Sequence, residues 1–479
     1  MKTRFSNSYL ALPEQFYQRV SPTPVQSPAI VALNEPLAEE LGLDGSSLRS
    51  PEWVGVLAGN LVPEGAQPVA LAYSGHQFGH FVPLLGDGRA VLIGELTTPT
   101  GRVYDLQLKG SGRTPFSRRG DGRAALGPML REYIIGEALH HVGIPATRTL
   151  AVVASGEVVV RERPIPGGIQ SRIAQSHVRI GTFQYASERG DRGALTALAD
   201  YVIGRHYPEL VGGEDRYFEL ARSIFSRQAR LVAQWMHVGF IHGVMNTDNV
   251  AVSGESIDFG PCAFMNRYDP DTVFSSIDRD GRYAFGMQPT IIQWNLTRLV
   301  EALVPLLGAE ESKAVARAQE LVDGFPALFT EAWYGGMRAK LGLCGDDDGD
   351  NELIKQLLEG MYAARVDYTN TFRALSGDNR FSVPAALNNW YALWESRTEP
   401  NRNGRSRDET LRAMRCVNPA VIARNHLVED ALREAVDNQN LSIMQRLVDA
   451  LRDPYTAHSE YSSPPTDDHD RSYRTFCGT

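Results

Sequence analysis

The stretch of residues 242–260 constrains this chain more than any other feature, because it places oxygen-bearing side chains in two short, closely spaced groups. It begins His-Gly-Val-Met-Asn-Thr-Asp-Asn and ends Asp-Phe-Gly. Asn249 closes the first group and Asp258 opens the last. Amide and carboxylate oxygens are ligands that Mg²⁺ accepts, usually together with substrate phosphates. The stretch therefore predicts a fold in which two loops meet at a metal and phosphate site.

The spacing matches the protein-kinase pattern H-R-D-x-x-x-x-N followed by D-F-G, in which the Asn and the second Asp bind metal. His242 and Asn249 take the first and last positions, but Val244 stands where kinases place the Asp that accepts the substrate proton. Asn246 and Asp248 lie in the same loop and are candidates to replace it. The sequence predicts a kinase-shaped scaffold with rearranged chemistry.

Composition excludes several classes of function. The chain has 479 residues, 48 basic and 57 acidic, with a net charge of −9. This balance argues against broad binding to nucleic acid or anionic lipid. No apolar run is long enough for a membrane span, and the N-terminus lacks the pattern of a signal peptide. Four sparse cysteines fit a reducing compartment. We expect a cytoplasmic monomer that binds neither nucleic acid nor membrane.

Hydrophobic periodicity predicts a small sheet with one helix, then a mostly helical second half that ends in a helical C-terminal extension. Taken with the kinase-type motif of residues 242–260, this order predicts an α/β (α+β) protein with a two-lobed, protein-kinase-like fold. Single helices are predicted over 217–238, 352–373 and 417–436. The predicted organisation is an N-terminal extension packing on the lobes (1–65), a sheet lobe with nucleotide-binding loops (66–165), a lobe with catalytic and metal loops (166–310), a helical extension (311–453) and a flexible tail containing Cys477 (454–479).

Lys109 and Glu132 are the first candidates for phosphate positioning. Lys109 ends a predicted strand and Glu132 lies near the start of the next predicted helix. This order matches the strand lysine and helix glutamate that form an ion pair in kinases. The alternative is a surface lysine and a solvated glutamate. The order and the context favour the ion pair.

Glycines and arginines supply the second set of candidates. Gly86-Asp87-Gly88-Arg89 is a weak match to a phosphate-binding loop and is also typical of a hairpin turn. Residues 110–123 are rich in Gly and Arg, which suits close approach to a polyanion, although a solvated basic loop is the alternative. Arg172 and Arg179 are seven apart and would share one face of a helix, where surface salt bridges are the ordinary explanation.

These motifs together resemble the selenoprotein O (YdiU) family over essentially the whole chain. The matching segments are Tyr-Ser-Gly-His-Gln-Phe-Gly (73–79), Gly-Asp-Gly-Arg (86–89), the run 108–123, His-Gly-Val-Met-Asn-Thr-Asp-Asn (242–249) and a third-from-last cysteine. The resemblance implies a kinase-like fold that transfers AMP from ATP to Ser, Thr or Tyr hydroxyls of proteins. It also implies that ATP binds inverted relative to kinases, with Mg²⁺ or Mn²⁺. Whether UTP competes with ATP stays open.

The resemblance also assigns roles to individual residues. Asp248 matches the proton acceptor, and Asn249 and Asp258 match the metal ligands. The residues that match nucleotide contacts, with Glu132 as the partner of Lys109, are Gly86, Gly88, Arg89, Lys109, Asp121, Gly122, Glu132, Arg172, Arg179 and Asp258.

Three alternatives remain at this point. The first is a conventional kinase in which Asp248 serves γ-phosphate transfer. The second is a non-catalytic nucleotide-binding module, suggested by Val244.

The third concerns the redox state of Cys477, where many animal members of the family carry selenocysteine. The resemblance implies a redox role through a disulfide with an internal cysteine, for which Cys262 is one candidate. All four cysteines remaining reduced is the competing view.

Overall fold

An antiparallel sheet forms the first lobe. The computed structural model describes residues 5–345, 347–378, 382–399 and 404–475. The strands are β1 Tyr17–Arg19, β2 Ala29–Leu33, β3 Val69–Leu71, β4 Gly75–Gln77, β5 His80–Val82, β6 Ala90–Thr97, β7 Val103–Lys109, β8 Ala124–Ala125, β9 Arg148–Val160, β10 Pro164–Ala174, β11 Phe240–Ile241 and β12 Ala263–Phe264. The main sheet has the order β1-β3-β6-β7-β10-β9-β2, with β8 on β10. The N-terminal extension therefore supplies both outer strands.

Helices make up most of the remaining structure. They are α1 Glu35–Glu40, α2 Gly45–Leu48, α3 Pro51–Leu57, α4 Leu126–His141, α5 Ile180–Glu188, α6 Arg192–His206, α7 Arg216–His237, α8 Gln288–Leu303, α9 Glu311–Lys340, α10 Asp350–Ala364, α11 Tyr368–Leu375, α12 Asn388–Thr398, α13 Arg407–Val417, α14 Asn425–Asp437, α15 Ser442–Arg452, α16 Ser459–Ser462 and α17 Asp467–Ser472. None of the helices within the described ranges is long and apolar enough to cross a membrane.

Helix α4 is buried on nearly every side, which fixes the position of Glu132. One face packs on β9 and β10, and another packs against α14 and α15 of the C-terminal extension. Leu130, Ile134 and Leu139 are fully buried in the main core. Because its neighbours come from both ends of the chain, α4 is held rigidly between the sheet and the helical extension.

Helix α7 positions the loops of residues 242–260. Its apolar face packs on α8 and α9. Gly239, at φ +73°, then turns the chain into β11. Strand β11 pairs with β12, joining Phe240 to Phe264 and Ile241 to Ala263. Both groups of oxygen-bearing side chains therefore lie on the connecting segment of residues 242–262, whose two ends are joined by the β11–β12 pair.

The structure does not place Arg172 and Arg179 on one face of a helix, and both are buried rather than in surface salt bridges. Arg172 lies on β10, paired between β7 and β9, and Arg179 is the N-cap residue of α5. Residues 167–174 are all buried, including the polar Gln170 and Arg172, and form an interior strand without an exposed face, so the spacing of seven was misleading.

Two predicted long helices are each interrupted. The helix predicted over 352–373 ends at Ala364, because Arg365 adopts the left-handed conformation at φ +52°. The helix predicted over 417–436 is split between α13, which ends at Val417, and α14, which begins at Asn425. The connecting residues are held by Arg424, whose guanidinium is bound to side chains of another helix.

The segment after residue 453 is packed against the body up to Thr475, which differs from the flexible tail predicted there. Thr475 donates a backbone hydrogen bond to Phe274 O and a side-chain hydrogen bond of 2.7 Å to Pro261 O. Tyr473 Oη donates to Glu429 Oε1 at 2.7 Å. These long-range contacts hold the polar segment of residues 454–475 against the body, and its amino-acid composition gives no sign of them.

We predict that Arg424→Ala destabilises the fold by about 3 to 5 kcal/mol, because it leaves a partly buried Asp367 without its cation. Arg424 NH1 lies 2.9 Å from Asp367 Oδ2 and 2.6 Å from Asn266 Oδ1. Urea unfolding followed by circular dichroism measures the change. Arg433→Ala is the matched control, because Arg433 pairs with Asp430 on the surface of α14. Equal stability of the two variants would contradict the prediction.

Candidate active site

One cavity of about 590 Å³ lies between the sheet lobe and the loops of residues 242–260. All of the residues predicted from the sequence line it: Gly86, Gly88, Arg89, Lys109, Asp121, Gly122, Glu132, Arg172, Arg179, Asp248, Asn249 and Asp258. They come from β7, β10, α4, the N-cap of α5 and the loops of residues 86–89, 121–122 and 242–260. The fold therefore gathers into one place a set of residues that the sequence spreads over more than a third of the chain.

Asp258 binds three cations at the buried end of the cavity. Its Oδ1 lies 2.6 Å from Lys109 Nζ and 2.8 Å from Arg172 NH1, and its Oδ2 lies 3.3 Å from Arg179 NH1. Burial raises the pKa of Asp258, but the three cations outweigh it and hold that pKa well below its usual range. The carboxylate is therefore ionised at neutral pH.

Glu132 connects the same cluster to helix α4. Its Oε1 accepts a hydrogen bond of 2.7 Å from Lys109 Nζ and one of 3.2 Å from the backbone N–H of Phe259. Asp258 itself sits at φ +66°, an uncommon conformation for a residue with a side chain. The predicted Lys109–Glu132 pair is thus present, and it also fixes the backbone beside Asp258. This is the arrangement described for the phosphate-positioning pair of protein kinases.

The glycines of the predicted phosphate-binding loops are explained by close packing. Gly86 has φ +68°, and a Cβ there would lie 2.4 Å from the Phe116 ring. Gly122 has φ +69°, and a Cβ would lie 2.0 Å from Gly112 O. Thr114 Oγ1 donates to Asp87 O at 2.6 Å. The Gly- and Arg-rich run of 110–123 folds back over the 86–89 turn, so the two motifs form one wall of the cavity.

The arginines of this wall are only partly directed at the cavity. Arg118 and Arg123 line it, whereas Arg113 and Arg119 do not. Arg161 NH1 lies 2.8 Å from Asp121 Oδ2, and this ion pair lowers the pKa of Asp121. In total the lining contains seven cationic side chains, namely Arg89, Lys109, Arg118, Arg123, Arg161, Arg172 and Arg179. Five carboxylates oppose them, so the cavity is positive within a chain of net charge −9.

Asp248 occupies a very different environment from Asp258. It is 8% exposed, and its Oδ2 is 3.5 Å from Gln77 Nε2. Its Oδ1 has no hydrogen-bond partner among the described residues. Burial raises the pKa of Asp248 to about 6, despite the opposing charge of Arg179. A carboxylate with a free oxygen and a raised pKa is suited to accept a proton near neutral pH.

The β4–β5 hairpin covers the loop that carries Asp248. The backbone N–H of His76 donates to Thr247 Oγ1 at 2.7 Å, and that of Phe78 donates to Asn246 Oδ1 at 3.0 Å. Asn246 Oδ1 also accepts from Tyr283 Oη at 2.6 Å. The sequence left Asn246 and Asp248 as alternative replacements for the missing base. Asn246 is used to hold the hairpin, which leaves Asp248.

Asn249 and Asp258 provide a donor set that fits a hard divalent cation. Asn249 Nδ2 donates to Val244 O at 3.0 Å, and its Oδ1 accepts no hydrogen bond from the described residues. Among the residues that the structure describes, no group of three or more His, Cys, Asp or Glu side chains is arranged to hold a metal. At nucleotide sites Mg²⁺ usually has one or two protein oxygens as ligands, and water and phosphate oxygens complete its coordination shell.

Several lining residues were missed by the sequence reasoning. Asp87 is buried and accepts from Gln107 Nε2 at 2.9 Å, and its other oxygen lies 3.7 Å from Arg179 NH2. Its signal was present, because it stands between the two glycines of the 86–89 turn. Gln77 and Arg161 gave no signal, since they reach the site only through tertiary contacts.

The cysteine hypothesis is tested only in part. Cys477 lies outside the described residues. Cys262 is fully buried, donates to Phe259 O at 3.1 Å, and has a pKa raised to about 12 by burial. Thiol–disulfide exchange requires a thiolate, so Cys262 is a poor attacking group in this conformation.

Comparison with known proteins identifies the family. The family described as "Protein adenylyltransferase SelO" matches residues 1–452. The chain belongs to the SelO family. Members named "Protein nucleotidyltransferase YdiU" are similar to it over nearly their full lengths. The protein from Anoxybacillus flavithermus is 55% identical, covering 99% of both chains. That from Shouchella clausii is 52% identical, covering 100% of this chain and 99% of the relative.

Membership of the SelO family makes this chain an enzyme, a nucleotidyltransferase, and confirms the resemblance seen in the motifs.

A solved structure, "ROP2 from Toxoplasma gondii: A virulence factor with a protein- kinase fold and no enzymatic activity", matches 62% of this chain and 84% of its own at 10% identity and a TM-score of 0.29. That score carries no argument about this chain. The α/β class with a helical C-terminal extension is confirmed by the strands and helices described above.

We predict that Gly122→Ala lowers nucleotide affinity at least tenfold, because a Cβ would force residue 122 away from Gly112 O and distort the 110–123 run. Titration with a fluorescent ATP analogue measures the effect. Gly101→Ala is the matched control, since Gly101 has a similar φ of +83° but a Cβ there meets nothing within 4 Å and lies outside the cavity. Both variants carry the same backbone strain of about 1 to 2 kcal/mol. Unchanged affinity in Gly122→Ala would contradict the assignment.

Proposed function

We propose that this enzyme transfers AMP from ATP to Ser, Thr or Tyr hydroxyls of proteins. The observation that carries the proposal is the contrast between two carboxylates of one cavity. Asp258 is held ionised by three cations, whereas Asp248 is buried beside an open space with one oxygen unpartnered. The family description of an adenylyltransferase supports the adenylyl group, and the relatives' name supports a protein acceptor.

Asp248 is the proton acceptor in this proposal. Val244 and Phe78 line the same cavity, and an acceptor hydroxyl enters beside them. It meets Asp248 there, whereas the other carboxylates of the lining each have a cationic partner. Val244 supplies an apolar wall where kinases place their base, so the base function is displaced along the loop to Asp248. The hydroxyl proton moves to Asp248 Oδ1 as the hydroxyl oxygen attacks the α-phosphorus and pyrophosphate leaves.

The cationic end of the cavity supports an inverted nucleotide. Lys109, Arg172 and Arg179 are each at most 5% exposed. Adenine rings favour apolar walls, whereas buried guanidinium and ammonium groups favour phosphate oxygens. Placing the β- and γ-phosphates against these three cations brings the α-phosphate towards the open side and the acceptor. This arrangement gives Arg172 and Arg179 a function that ordinary kinase geometry does not need.

Asn249 and Asp258 would hold Mg²⁺ or Mn²⁺ in this proposal. A bound divalent cation neutralises phosphate charge and favours departure of pyrophosphate. The side chains contribute the positioning: Asn249 is fixed by Val244 O, and Asp258 is fixed by its ion pairs and by the Glu132–Phe259 contact. Preorganisation of this kind reduces the cost of reorganisation during reaction.

We predict that wild-type enzyme transfers label from α-labelled but not from γ-labelled ATP to protein, and that Asp248→Asn lowers this transfer roughly 10²- to 10⁴-fold. Nucleotide affinity should stay within about threefold, and the thermal midpoint should be unchanged or higher, since burying an unpaired charge is unfavourable. Asp437→Asn, on the exposed end of α14, is the control. Transfer of γ-label would instead establish a kinase, and absence of both labels with either metal would establish a non-catalytic module.

We predict that Arg172→Met lowers affinity for ATP roughly 10- to 100-fold, the value of a hydrogen bond to a charged group, but affects AMP by less than about threefold. In the inverted orientation this arginine meets the outer phosphates, which AMP lacks. Calorimetric titration with both nucleotides measures the difference. Arg205→Met is the control, because Arg205 is also ion-paired in the interior but lies away from the cavity. Equal losses for AMP and ATP would argue against inversion.

A further inference from the structure

A second cavity, of about 520 Å³, is lined in part by α7 and shares no lining residue with the active-site cavity. It opens between the C-terminal halves of α7 and α9. Its remaining walls come from the end of α4 and from the C-terminal extension, at Val142, Ile144, Val417 and Tyr455. A volume of this size is typical of sites for small molecules.

Lys340 gives this cavity its distinctive chemistry. Of the 48 basic residues of the chain only five are lysines, at positions 2, 109, 313, 340 and 355. Lys109 pairs with Glu132, Lys313 with Glu310, and Lys355 with Glu359. Lys340 lines the cavity and is 3% exposed, and burial is the only influence on the pKa of its amine, with no carboxylate or hydrogen-bond partner acting on it among the residues that the structure describes.

Aromatic rings compensate the Lys340 charge only partly. Its Nζ lies 4.0 Å from the ring centroid of Phe372 and 5.6 Å from that of Tyr368. Ring faces attract a cation but leave all three N–H donors of an ammonium unsatisfied. Burial lowers the pKa of Lys340 to about 7. The described residues therefore provide no anionic partner for the Lys340 ammonium.

Other titratable groups at the cavity do not supply that partner. His237 donates from Nε2 to Trp333 O at 3.0 Å, and burial lowers its pKa to about 4, so it is neutral. Glu331 is exposed at the rim and forms no ion pair with Lys340. Arg230, also exposed, adds a second positive charge. The lining thus carries an excess of positive charge.

Helix α9 contributes two glycines to the lining of the cavity, of which Gly335 is exposed. Gly335 and Gly336 are adjacent in its interior, where each glycine costs roughly 1 kcal/mol relative to alanine. Packing explains Gly336, because a Cβ there would lie 2.0 Å from the His237 ring. It does not explain Gly335, whose Cβ would meet nothing within 4 Å. The absence of a side chain at Gly335 leaves room beside the cavity.

We propose that this cavity is a second ligand site, which binds a small organic anion with an aliphatic body and places its carboxylate on Lys340. The apolar lining comprises Val142, Ile144, Ala233, Val238, Leu328, Ala332, Ala339 and Val417. One buried ammonium matches one carboxylate, whereas a polyphosphate would require several buried cations of the kind found in the active site. The aliphatic body occupies the space that the missing Gly335 side chain leaves.

Calorimetric titration of the full-length protein at pH 7 with straight-chain carboxylates, from butanoate to decanoate, tests this site. Affinity should rise roughly fourfold per methylene group until the cavity is filled. Lys340→Met should lose at least tenfold in affinity, as for loss of a hydrogen bond to a charged group. Lys355→Met, the same change at an exposed lysine of α10, should bind as the wild type does. Octylammonium should not bind.

Gly335→Leu provides an independent test that leaves Lys340 intact. It fills the space beside the cavity without a backbone clash, and it should also weaken binding of the longer carboxylates at least tenfold. AMP-transfer activity of both variants without carboxylate should match the wild type. Wild-type affinity in Lys340→Met, an affinity independent of chain length, or no binding of any carboxylate by the wild type would each overturn the proposal.

Discussion

The active site depends on the compensation of charge around Asp258. Three cations reach this carboxylate from β7, β10 and the N-terminus of α5. A buried ion without a partner costs several kcal/mol, so none of these side chains could be buried alone. The cluster joins the sheet lobe to the loop of residues 258–260, and Glu132 extends it to α4. In the proposed reaction, the same cations that compensate Asp258 in the free protein bind the phosphates of the nucleotide.

Two aspartates in this cavity have opposite electrostatic environments. Asp258 is kept ionised by its cations, whereas burial under the β4–β5 hairpin raises the pKa of Asp248 to about 6. Enzymes commonly divide a ligand role from an acid–base role in this way. The hairpin is therefore as important as the loop itself. It covers Asp248, and its Phe78 N–H donates to Asn246 Oδ1, so that Asn246 is no longer a candidate for the base. In the proposed reaction this division replaces the single catalytic aspartate of kinases.

Local patterns predicted those elements whose spacing was regular. Helix α7 follows the predicted range of 217–238 closely, because its apolar residues repeat with one period, and strand β7 ends at Lys109 as predicted. The prediction failed where a single long-range contact overrides periodicity, as at Arg424, whose bonds to α11 interrupt a helical pattern. It failed again for the segment after residue 453, which has few apolar residues yet is held by Thr475 and Tyr473.

The sequence by itself determined the family, the enzyme class and the identity of the candidate site residues, because these depend on residue types at short, fixed spacings. Only the tertiary structure decided that Arg172 and Arg179 meet Asp258. Within the part of the chain that the structure describes, it also decided that Asp248 rather than Asn246 keeps a free oxygen and that Lys340 has no anionic partner. The physical reason is that burial and electrostatic environment depend on neighbours from distant parts of the chain. Spacing along the sequence carries no information about those neighbours.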